Sequence, residues 1–143
     1  MSAGTGILHS EFNASMTDPV HLLQIWILPE KTGISPSYEQ KNFPVSEKEN
    51  QLRLVGSPDG REGSVTIHQA VDLYASQLTA GSRVTHPLKK GQAAWIQVTQ
   101  GMIKLNEHQL GAGDGAGVVD VEKLEFQGLS EGAEFLLFDM AKR

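Results

Sequence analysis

Short runs of β-branched and apolar residues, each broken within eight or nine positions by Gly, Pro or Asn, recur along the chain. No segment carries a long 3.6-residue period with a cap at both ends, so the pattern excludes a helical bundle and calls for strands. Strands are expected over 21–28, closed by Pro29, and over 51–56, ending at the turn Ser57-Pro58-Asp59-Gly60. Further strands are expected over 65–68, 71–78, 93–100, 102–105, 118–121, 123–126 and 134–140. Gly101 between two of these suggests a hairpin or a bulge. Seven or more short strands with frequent turns predict an all-β sandwich or barrel. Residues 29–40 are irregular and too long for a tight turn, so they connect an N-terminal piece to the sandwich. Glu47-Lys48-Glu49-Asn50 is a charged loop or one helical turn.

The 143 residues suffice for one domain and not for two full ones. The formal charge is −5 and the chain carries no basic cluster beyond side-by-side pairs such as Lys89-Lys90, which argues against a nucleic-acid partner. The absence of cysteine removes disulfides, thiolate-bound zinc and cysteine nucleophiles. Met-Ser-Ala-Gly-Thr-Gly lacks the basic and apolar regions of a signal peptide. The longest apolar stretch, 22–28, is interrupted by Gln24 and falls far short of a membrane span. These features predict a soluble, cytoplasmic protein without a membrane partner.

Three features invite a chemical reading. In His9-Ser10-Glu11 the imidazole and carboxylate are two positions apart, so on a strand they share a face and could meet one ion. Nitrogen and carboxylate donors suit iron, manganese, nickel, copper or zinc, yet metal sites usually draw three or four ligands from the protein. Ser10 points the other way and gains no activation from His9. Gly111-Ala112-Gly113-Asp114-Gly115-Ala116-Gly117 meets a loose phosphate-loop pattern, but a strand comes next where a helix N-terminus would be required, so it is expected to be a flexible turn. His86 closes a strand after Gly81 and is expected to be structural or exposed. His21, His68 and His108 have no partner at a useful spacing, and Trp26 and Trp95 are expected in the core.

Residues 2–13, Ser-Ala-Gly-Thr-Gly-Ile-Leu-His-Ser-Glu-Phe-Asn, resemble the segment that closes the metal site of pirin-like proteins. The stretch from Val20-His21-Leu22-Leu23-Gln24-Ile25-Trp26-Ile27 through Gly33, Pro36 and Tyr38-Glu39-Gln40 is similar to the segment just after it in that family. The remaining hundred or so positions resemble the family's second cupin domain less tightly, with Gly81, His86 and Gly101 as echoes of a cupin motif. The resemblance implies a cupin-type β-sandwich, or jelly roll, belonging to a two-domain protein with one metal, usually iron, in its first half. Several bacterial members act as quercetin 2,3-dioxygenases, and pirins are also described as transcription co-regulators that work through protein contacts. Of the family's three histidines and one glutamate, His9 and Glu11 would stand at the third and fourth ligand positions.

No H-x-H strand occurs in the chain, so the first two ligands would belong to a sandwich upstream of Met1. The expected division is 1–19 as a remnant of the first cupin, 20–45 as strand and connector, and 46–143 as the C-terminal sandwich. With only half a site, the chain alone is expected to hold no cofactor and to be inactive, a flavonol substrate belonging only to the intact protein. Its expected partners are the missing first domain or a second copy. Residues 2–13 are expected to be disordered or to pair with that copy in a strand-exchanged homodimer.

Overall fold

The computed structural model describes residues 1–142. Regular structure begins with a 3-10 turn at Val45–Glu47 and continues as ten strands. These are β1 (Arg53–Ser57), β2 (Val65–Thr66), β3 (Val71–Leu78), β4 (Arg83–Pro87), β5 (Gln92–Gln100), β6 (Met102–Leu105), β7 (His108–Gly111), β8 (Gly115–Val119), β9 (Lys123–Gly128) and β10 (Ala133–Ala141). They form a six-stranded sheet ordered β2-β1-β3-β10-β5-β8 and a four-stranded sheet ordered β4-β9-β6-β7.

The pairing is nested: β3 with β10, β4 with β9, β5 with β8 and β6 with β7, all antiparallel. A long hairpin folded over on itself gives that arrangement, which defines a jelly roll. The all-β sandwich expected from the strand pattern is therefore present.

Alternation along each strand decides which side chains meet between the sheets. On β10, Ala133, Phe135, Leu137 and Asp139 are buried, and on β5 so are Ala94, Ile96 and Val98. The four-stranded sheet answers with Ile103, Leu105, Leu124 and Phe126. Phe126 and Phe135 stack across the core with ring centroids 4.5 Å apart. The other face of the six-stranded sheet is also apolar, carrying Leu136, Phe138 and Met140 from β10 and Trp95 from β5. A strand apolar on both faces belongs at the centre of a covered sheet.

Several expectations need correction. Residues 21–28 form no strand. Their backbone has no adjacent strand to pair with, and they lie as an extended strap across the outer face of the six-stranded sheet. The strap is pinned at its C-terminal end, where Gln69 donates from Nε2 to the Leu28 carbonyl at 2.9 Å and the Glu30 amide donates to the His68 carbonyl at 2.8 Å. Trp26 is consequently exposed, and Trp95 sits on the outer face rather than in the core. Gly101 joins strands of different sheets, so no hairpin forms there. The bulge lies just before it, where β5 slips register against β10 between Val98 and Gln100. The glycine-rich stretch is half strand: Gly115 and Gly117 on β8 lie against the Trp95 indole, and a Cβ at Gly115 would collide with the ring.

Replacing Phe135 by Ala removes half of the stacked core pair and leaves a cavity between the sheets. The expected loss is about 3–5 kcal/mol of unfolding free energy, measured by urea titration. A loss below about 1 kcal/mol would mean that the core is not organised around this pair.

Candidate functional site

His9 and Glu11 both lie in the irregular N-terminal segment and are both exposed. Ser2 bridges to Ser37 within the chain, through hydrogen bonds of 2.8 and 3.1 Å, but residues 5–13 join no strand. Glu11 borders a pocket of about 210 Å³ together with Phe12, Asn13, Val20 and Leu22–Gln24 of the strap; His9 does not. Among the described residues no group of three or more His, Asp or Glu side chains could hold a metal ion. His9 and Glu11 offer two donors where a tight site needs three or four, so the residues present do not by themselves fit a bound metal.

The histidine that the fold does use is His86. It points inward from β4 of the smaller sheet, and its Nε2 meets Oδ2 of Asp139, on β10 of the larger sheet, at 2.8 Å. Both side chains are buried. With Asp139 ionised, Nε2 carries the proton and donates it, which sets the imidazole orientation. Tyr74 flanks the imidazole, the two ring centroids 5.1 Å apart. Directly across the β3–β10 ladder from Asp139 stands Asp72, whose carboxylate accepts from the Arg61 guanidinium at 2.5 Å.

Two neighbouring carboxylates on one face are thus each matched by a cationic or proton-donating side chain from another element. Asp72 in turn holds Arg61 firmly in its charged form. Burial, reinforced by Asp72, pushes the Tyr74 phenol above its ordinary range. Oδ1 of Asp139 is buried with no hydrogen-bond partner among the described residues. No hydroxyl hydrogen-bonds to His86 among the described residues, so this pair is no hydrolase triad; it fastens one sheet to the other.

Sequence spacing could not show this pair, because 53 positions separate its members and only the nested pairing brings them together. One signal is available. Asp139 interrupts the apolar run 135–140 at a position whose alternation points it into the core. A charge in that place calls for a buried partner. His21, His68 and His108 are exposed.

Comparison with known proteins places this architecture in a class. Residues 54–140 match the family model described as the quercetinase C-terminal cupin domain, and residues 1–27 match the Pirin family model. The chain belongs to the pirin-like cupin family, over the family's C-terminal cupin region.

Among relatives, it is 41% identical over 140 residues to a protein of Escherichia coli K12 named quercetin 2,3-dioxygenase, covering 98% of this chain and 59% of that one. A putative quercetin 2,3-dioxygenase of Pasteurella multocida is 38% identical over 142 residues, with the same coverage. The crystal structure of YhhW from E. coli superposes with a TM-score of 0.77 at 34% identity, over 82% of this chain and 49% of that one. A structure of the bacterial pirin YhhW in complex with nickel(II) superposes with a TM-score of 0.76. The chain spans about 59% of the length of the curated relatives it matches.

The His86–Asp139 contact is testable by a double-mutant cycle. His86→Leu and Asp139→Leu should each cost about 2–4 kcal/mol, since each leaves a polar partner buried and unpaired. The double variant should regain at least about 1 kcal/mol relative to additivity in denaturant unfolding. Additive losses would remove the inter-sheet fastening.

Proposed function

We propose that this chain is the C-terminal cupin half of a metal-dependent dioxygenase of the quercetin 2,3-dioxygenase type, and that by itself it holds no metal and is inactive. The observation carrying this reading is the separation between what matches and what is supplied. The sandwich corresponds to the quercetinase C-terminal cupin along residues 54–140, while His9 and Glu11 are exposed and unaccompanied by further donors among the described residues. In this reading residues 1–19 belong with a first cupin, 20–45 connect, and 46–143 form the second sandwich. Its missing partner is that first domain, which would supply the H-x-H ligands, and the substrate of the whole protein is a flavonol.

The C-terminal sandwich then contributes rigidity rather than chemistry. Its interior, where side chains from both sheets converge, is filled by Leu, Ile, Val and Phe and by the His86–Asp139 fastening. A filled interior leaves no room for a bound substrate there.

Plasma mass spectrometry on protein purified without chelator or added metal tests this. Less than about 0.1 equivalent of iron, nickel, copper or zinc is expected, with no oxygen uptake on adding quercetin. Near-stoichiometric metal that His9→Ala removes, accompanied by oxygen consumption, would overturn the reading.

A further inference from the structure

The chain contains two Asp-Gly pairs, Asp59-Gly60 and Asp114-Gly115, the second in the turn between β7 and β8. An aspartate followed by glycine can close on itself, because no side chain shields the glycine nitrogen from the neighbouring carboxyl. Neither half of the second pair is dispensable to the fold. A Cβ at Gly115 would collide with the Trp95 indole, and the Asp114 carboxylate closes the turn by accepting from the Gly111 amide at 2.8 Å.

We propose that Asp114-Gly115 is a site of isoaspartate formation that the folded turn itself promotes. The nucleophile is free. Gly115 stands opposite Gln97, and next to that pair the Val98 amide donates to the Asp114 carbonyl at 3.0 Å. Bonded and unbonded pairs alternate along an antiparallel ladder, so the Gly115 N–H points away from β5, off the sheet edge that β8 forms. Both residues of the pair are exposed. The nucleophile is also activated. Loss of the Gly115 amide proton places negative charge on the Asp114 carbonyl oxygen, and that oxygen receives two donors, the Val98 amide and Gln97 Nε2, each at 3.0 Å. Donors already aimed at a developing oxyanion lower the cost of forming it. At the electrophile, the Gly111 amide on Oδ2 draws electron density from Cγ.

Closure forms the bond from Gly115 N to Asp114 Cγ, and a carboxyl oxygen leaves as water with the amide proton and one proton from solvent. Water then opens the ring at the main-chain carbonyl, which frees the α-carboxylate and routes the backbone through Cβ and Cγ. The net change is an isomerisation, needing no oxidant, reductant or other reactant. It lengthens the main chain by one carbon just ahead of β8 and displaces Gly115 from its seat against Trp95. The freed α-carboxylate is the group that S-adenosylmethionine-dependent isoaspartyl methyltransferases esterify. Asp59-Gly60 lacks this arrangement. Asp59 Oδ1 accepts from the Ser57 hydroxyl at 3.0 Å and from the Arg61 amide and Nη1 at 3.3 and 3.2 Å. The Arg61 amide and the Ser57 hydroxyl hold its carboxyl below the ordinary range, in the ionised form that resists attack.

Ageing of the full chain at neutral pH and physiological temperature tests the proposal. Isoaspartate is read at each site by enzymatic methylation with labelled S-adenosylmethionine and by fragmentation mass spectrometry of the peptides. It should accumulate at position 114 at least about tenfold faster than at 59, the difference that the extra hydrogen bonds on Asp59 impose. In urea, where the turn is lost, the two rates should converge. Gln97→Ala separates activation from mere looseness: removing the donor should slow the reaction at 114 about tenfold, whereas a turn that only became more mobile would react faster. The comparison of 114 with 59 in the parent chain stands even if that variant fails to fold. Equal rates at the two sites in the folded chain, no isoaspartate at 114, or a faster reaction in Gln97→Ala would each overturn it.

Discussion

The ladder that β10 forms with β3 on one side and β5 on the other is the contact on which the molecule depends. It holds the six-stranded sheet together at its middle and delivers Phe135 to the Phe126 stack. It also brings Asp139 within reach of His86. Remove this ladder and the larger sheet falls into two ribbons, each with an apolar face and no partner. Both faces of β10 are apolar because both are used: the inner one against the smaller sheet, the outer one beneath the strap.

That two-sided demand explains the division of labour in the chain. Inside, alternating apolar side chains fill the space between sheets, and the one interior charge on β10 is met by an imidazole from the opposite sheet. Outside, Trp95 lies over the glycines of β8, and Gly115 needs to be small because the indole occupies the space its Cβ would take. The strap then runs over the surface that the indole leaves uncovered. A glycine-rich stretch that resembles a phosphate loop is therefore a seat for a tryptophan.

Much of the architecture is legible in the residues, and the failures have physical causes. Strands β3 and β6 coincide with the expected bounds, and β5, β9 and β10 differ from them by one or two positions, because their alternation is strong and Gly or Pro marks their ends. Strand β7, His108–Gly111, is not among the expected ones: it is short and polar, lies at a sheet edge, and comes after a two-residue turn in which Asn106 adopts φ 49°. Residues 21–28 fail in the opposite sense. Their side chains suit a strand, but a strand exists only where a neighbour accepts its hydrogen bonds, and composition does not reveal neighbours. For the candidate site, His9 and Glu11 can be singled out from a motif, whereas the buried pair cannot, since pairing across 53 residues is a property of topology.

The nested pairing also dictates an order of events when the chain folds. Strand β3 reaches its partner β10 only across roughly 55–70 intervening residues, and the inner pairs must be in place for the outer ones to meet. Loop-closure entropy of that size falls before any of the central ladder is formed. While β10 is still emerging from a ribosome, β3 and β5 present open edges and an apolar surface to the surrounding solution. A jelly roll closed by its last strand is thus a slow folder with a vulnerable interval, and its need for chaperone protection is concentrated in the time before that strand arrives.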